Sequence, residues 1–81
     1  MRMEQRKEVR VRRRCNVQLR VSGGDIIAAL LCNVSKSGAS VDVGQWVDVG
    51  SRVRIDGGGL AFEGNVRYCQ PSLYGYRLGI S

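Results

Sequence analysis

Apolar residues recur at every second position in short segments along this chain, and no window carries a convincing 3.6-residue apolar period. Side chains of an extended segment point alternately to its two faces, so each such run reads as a β-strand with one face buried. Cys15, Val17, Leu19 and Val21 alternate with Asn16, Gln18 and Arg20 in the first segment. Ile26 to Cys32 is apolar on both faces, which predicts a central strand more fully covered than its neighbours. Ala39, Val41 and Val43 mark a third strand, and Val53 and Ile55 a short fourth. Leu60, Phe62, Gly64, Val66 and Tyr68 share one face of a fifth, and Tyr74, Tyr76, Leu78 and Ile80 one face of a sixth.

The connections carry turn chemistry. Ser22 to Asp25, Asn33 to Gly38 and Gln70 to Ser72 read as turns, and Gly44 to Gly50 as a loop containing Trp46. Asp56-Gly57-Gly58-Gly59 is a strong hairpin signal. Six short strands without a helix predict an all-β fold, a small six-stranded antiparallel barrel, since closure removes edges that would template aggregation. At 81 residues this is one small domain, which buries only about 60% of the surface of its unfolded chain.

Charge is distributed unevenly. Residues 1–14 carry seven basic and two acidic side chains, a net +5, whereas the rest of the chain is nearly neutral at +1. The expected organisation is a flexible Arg-rich arm over residues 1–14 and a barrel over residues 15–81, and the asymmetry points to an anionic partner. Arg12, Arg13 and Arg14 read as an electrostatic collar.

An enzyme is not expected. The chain has no histidine, no cysteine beside a plausible base and no phosphate loop. Its carboxylates read as solvated charge, and Arg67 and Arg77 as outward and solvated. Trp46 is expected to cap one end of the barrel, and Tyr68, Tyr74 and Tyr76 to pack along strands. Cys15, Cys32 and Cys69 lack metal-ligand spacing and read as small buried apolar residues, which fits a reducing, cytoplasmic setting. No cofactor and no metal are expected. The longest apolar run is too short to span a bilayer, which takes roughly 20 residues, and the charged N-terminus lacks the apolar core of a secretory signal.

Two features remain: the arginines ahead of strand one, and N-V-S-K-S-G at Asn33 to Gly38. Three overlapping R-x-x-x-R frames exist, Arg2/Arg6, Arg6/Arg10 and Arg10/Arg14. Taken alone, N-x-S-x-x-G is an ordinary turn in which Asn and Ser bond local backbone. In this order, ahead of and between strands of an all-β domain, the two resemble the PilZ domain, a bacterial receptor module for cyclic di-GMP. V-G-S-R-V-R-I at Val49 to Ile55, G-N-V-R-Y-C at Gly64 to Cys69 and Y-R-L-G-I at Tyr76 to Ile80 resemble strands of that family.

The resemblance implies a ligand site of Arg6, Arg10, Asn33, Ser35 and Gly38, with Arg14 and Lys7 as secondary candidates. Arg10 lies 23 residues before Asn33, close to the family's usual gap, which favours Arg6/Arg10 over Arg10/Arg14. Asn33 stands where many PilZ domains have Asp. Guanidinium forks suit the ligand, because they bond guanine O6 and N7 bidentately or clamp a phosphate. The implied partners are cyclic di-GMP and a protein or covalently linked effector domain, in the bacterial cytoplasm. Two alternatives are a single-stranded nucleic-acid-binding barrel and a PilZ-type adaptor that binds only proteins. Nucleic acid is the less favoured partner, because the chain's five aromatics fall mostly at inward positions and make a poor stacking platform.

Overall fold

The computed structural model describes residues 11–81 and shows a closed antiparallel barrel. Its strands are β1 (Val11–Val21), β2 (Ile26–Val34), β3 (Ala39–Val43), β4 (Arg52–Gly57), β5 (Leu60–Ser72) and β6 (Gly75–Ile80). Around the barrel they run β1-β2-β3-β6-β5-β4, and β4 closes on β1. The expected six-stranded antiparallel barrel is therefore the observed fold. Inward side chains from every strand meet in one core, with Leu19, Leu31, Val41, Val53, Ile55, Val66, Leu78 and Ile80 almost fully buried. Removing each from water stabilises the fold by about 1.5–3 kcal/mol.

The hairpin at Gly57–Leu60 forms as its glycines predict. Gly58 and Gly59 both take positive φ, +58° and +78°, the twist that a two-residue turn needs to match right-handed strands. Elsewhere the strands depart from simple alternation at three register shifts, between Arg12 and Cys15, Leu31 and Asn33, and Val66 and Tyr68. Each places an extra residue on one strand and reverses the faces beyond it.

These shifts explain most differences from the sequence expectations. β1 begins at Val11 rather than Cys15, because Val11 and Arg12 pair with Val34 and Asn33 across the first shift. Beyond the third, Tyr68 turns outward (38% exposed) and Cys69 packs against the core instead. β5 then continues through Gln70-Pro71-Ser72, which is strand and not turn. Pro71 is tolerated because β4 pairs with β5 only as far as Asn65, leaving this stretch a single neighbour. The turn falls at Leu73 and Tyr74, so Tyr74 is largely exposed and does not pack along a strand.

β2 is not the most covered strand. Its inward residues are buried, but Ile26 and Ala28 face solvent. β3 is buried at every position. Trp46 does not cap the barrel either. Its ring is half-exposed, edge-on to Tyr76 at 5.6 Å, and its Nε1 donates to Asp48 Oδ1 at 2.7 Å. Its neighbour Val47 is the residue that enters the core.

Candidate functional site

The turn from β2 to β3 is closed by Ser35, whose backbone N–H donates to the Gly38 carbonyl at 2.8 Å and whose Oγ lies 3.4 Å from the same oxygen. Gly38 has no positive φ. Its glycine identity is explained by proximity: a Cβ there would lie 3.0 Å from the Ile80 carbonyl oxygen. The motif's glycine thus lets this turn lie directly against the end of β6. Asn33 lies two residues before Ser35, half-buried within β2, opposite Arg12 on one side and Ser40 on the other. Because Val11 pairs with Val34 and Arg12 with Asn33, the chain enters the barrel alongside the N-V-S segment.

A cavity of about 200 Å³ opens beside this turn. Ser35, Ser37, Gly38 and Ser40 line it together with the exposed Arg67 and Tyr68. Tyr68 lies over Gly79, where any Cβ would fall within the ring's contact distance. Ser40 Oγ is buried and has no hydrogen-bond partner. Arg67 stands at the extra position of the third register shift, and its Nε donates to Ser81 Oγ at 2.7 Å.

A second polar cluster lies on the outer face of β3 and β6. Arg77 grips Asp42 with two bonds, Nε to Oδ1 at 2.8 Å and Nη2 to Oδ2 at 3.1 Å. The Arg77 bond holds the Asp42 carboxyl below its usual pKa, against the opposing effect of burial, and raises that of the guanidinium. The buried Cys32 thiol lies against the Leu30 carbonyl at 3.6 Å and near Asp42; burial first, then the carboxylate, push its pKa up. Arg77 and Asp42 are therefore a structural pair and not solvated charge. Arg14 borders a separate cavity of about 340 Å³ on this face, with Asn16, Leu30, Asp42 and Tyr74.

Of the expected site residues, Ser35 and Gly38 line the smaller cavity, Asn33 lies within the adjoining strand, and Arg14 borders the other cavity. Arg6, Lys7 and Arg10 lie outside the described residues. Arg67 and Ser40 were not singled out from the sequence. Arg67 carried no local signal: alternation makes it an outward strand residue, and it is exposed as expected, bordering this cavity. Among the described residues no group of three or more Cys, Asp or Glu side chains is arranged to hold a metal ion, and no helix is long and apolar enough to cross a membrane.

The chain thus forms a small closed barrel with a serine-lined cavity beside a tight interstrand turn. The sequence profile of the PilZ domain matches residues 4–81, and the chain belongs to that family of cyclic di-GMP receptors. Comparison with curated proteins and with solved structures finds no match.

Proposed function

We propose that this domain binds cyclic di-GMP, with Arg6 and Arg10 clamping the ligand against Asn33, Ser35 and Gly38 at the β2–β3 turn. The observation that carries this reading is the pairing of Val11 and Arg12 with Val34 and Asn33. It sets the backbone that directly follows Arg10 beside Asn33 and Val34, which lead into the serine-containing turn. Arg14 borders a different cavity, which favours Arg6/Arg10 as the functional pair over Arg10/Arg14. The ligand supplies two phosphodiester anions and two guanine edges, which guanidinium groups bond well.

The energetics make the binding a switch. Fixing each backbone residue of an arm costs about 1–2 kcal/mol, while each hydrogen bond to a charged group returns about 1.5–3 kcal/mol. Several bonds must therefore form together, so the ligand orders the arm on the barrel in one step and presents a new surface to an effector domain or protein. Isothermal titration of the full chain with cyclic di-GMP tests the reading. Saturable binding that is lost in an Arg6→Ala/Arg10→Ala variant is expected; undiminished binding by that variant overturns the assignment.

A further inference from the structure

Among the described residues, five of the six large apolar side chains left exposed stand at one end of the barrel: Ile26, Trp46, Val49, Leu73 and Tyr74. Because successive strands run in opposite directions, the β1–β2, β3–β4 and β5–β6 connections all fall at this end. The start of β1, the β2–β3 turn and the Gly58-Gly59 turn fall at the other. Leu73 is 89% and Tyr74 69% exposed, at the tip of the β5–β6 turn. Aromatic side chains alone bury about 150–250 Å² each, so the group reaches the size of the largest patches that monomers leave bare, about 300–600 Å².

The same end holds unpaired charge of both signs. Among the described residues Asp42, Asp56 and Glu63 each face an arginine, whereas Asp25 and Asp48 do not. Both of these line one cavity of about 200 Å³ with Val21, Ile27, Trp46 and Val47, and no basic side chain lines it. Arg20, at the rim of this end, is the complementary group. It is exposed, has no carboxylate partner among the described residues, and stands opposite Arg54 across β1 and β4. Like charges directly opposite destabilise a sheet. Asp56 neutralises Arg54, and nothing comparable serves Arg20.

A largely apolar surface that carries unpaired charges of both signs is complementary to itself, which is the requirement of a twofold interface. We propose that this end joins two copies of the chain about a twofold axis, packing Trp46, Leu73 and Tyr74 of the two together and setting Arg20 of each against Asp25 and Asp48 of the other. Two such patches together bury about 1,000 Å², where specific interfaces begin, so the dimer is weak and concentration-dependent. It also keeps like charges apart. β1 is eleven residues long, and at about 3.3 Å per residue its start lies several Debye lengths of about 8 Å from the contact. The basic residues 1–14 of both copies therefore enter at the outer ends, where the β2–β3 turns also remain free.

The test is sedimentation of the full chain over a wide concentration range without any dinucleotide, with emission from its single tryptophan, Trp46, read on the same samples. A monomer–dimer equilibrium is expected, with the emission moving to the blue as the dimer forms. Leu73→Ser removes apolar surface from both copies and is expected to weaken the dimer at least tenfold. Arg20→Glu and Asp25→Arg/Asp48→Arg each set like charges together and are expected to weaken it roughly tenfold. An equimolar mixture of those two charge variants restores opposite signs at every contact and is expected to dimerise as the unaltered chain does. Glu63→Gln, on the side of the barrel, is expected to change nothing. All substituted side chains are exposed, and thermal melting confirms that each variant folds. A monomer at every concentration, including one whose Trp46 emission moves only when phosphatidylcholine–phosphatidylglycerol vesicles are added, overturns the proposal. So does association that Leu73→Ser leaves unchanged, or a mixture of charge variants that fails to recover.

Discussion

Replacing Arg77 by alanine should destabilise the barrel more than replacing Asp42 by asparagine, because the two ends of the pair are buried unequally. The Asp42 side chain is 5% exposed, whereas that of Arg77 is 43% exposed. Asp42→Asn leaves a guanidinium that water can solvate, at a cost of about 1 kcal/mol, in the range of one net hydrogen bond. Arg77→Ala strands a buried carboxylate. Breaking a fully buried pair costs about 3–5 kcal/mol, and the partial access of water through the vacated Arg77 site reduces this to about 2–3 kcal/mol.

For a domain of this size each kcal/mol shifts the melting temperature by about 4–8 °C, so the variant should melt about 10–20 °C lower at neutral pH. The deficit should also depend on pH. In the unaltered chain Asp42 titrates below its ordinary value of 3.8, so its stabilisation is present above that value and is lost as pH falls through the depressed folded one. Without Arg77, burial is opposed only by the Cys32 thiol and the Arg14 charge, so the Asp42 pKa rises from its depressed value, acidification neutralises the stranded charge sooner, and the gap to the unaltered chain narrows. Urea unfolding of all three chains, from neutral pH down into the carboxylate range, measures both effects. Equal stability of the two variants, or an Arg77→Ala deficit that does not shrink on acidification, would refute the reasoning.

Gly79→Ala would bring a Cβ within 2.0 Å of Tyr68 Cε2, so the ring must swing away from the cavity. A loss of about 1–3 kcal/mol is expected on thermal melting, together with a changed near-ultraviolet tyrosine signal. Cys32, buried and with its thiol pKa raised, should react with a thiol reagent only on unfolding, because the thiolate is the reactive form. Half-buried Cys15 and Cys69 should be labelled sooner, as mass spectrometry of quenched samples would show.

Periodicity made the barrel legible because alternation is a local property of each strand. Ala39–Val43 and the Gly58-Gly59 turn needed nothing beyond their own residues and immediate neighbours. Register shifts are different, since they arise where two distant strands fail to match one-to-one. Without knowing that Cys32 and Arg67 are extra residues against β3 and β6, alternation carries Tyr68 inward. The burial of Asp42 was hidden for a related reason: its partner Arg77 stands 35 residues away, and neither residue announces the other. At the site, Gly38 was legible only as a member of the motif, and the structure shows that close approach to Ile80, not positive φ, is what it supplies. Ser40 had no mark in the sequence, because an unpartnered hydroxyl is visible only once the strands around it are placed.

The central claim is that cyclic di-GMP binds at the β2–β3 turn, and amide correlation spectra of the labelled full chain recorded during titration with the dinucleotide test it most directly. The account predicts that the largest shifts fall on Asn33 to Gly38 and on Arg67 and Tyr68, with those near Trp46 and the Gly58-Gly59 turn unmoved. Shifts centred on the Trp46 end of the barrel, or a spectrum unchanged at saturating ligand, would contradict it.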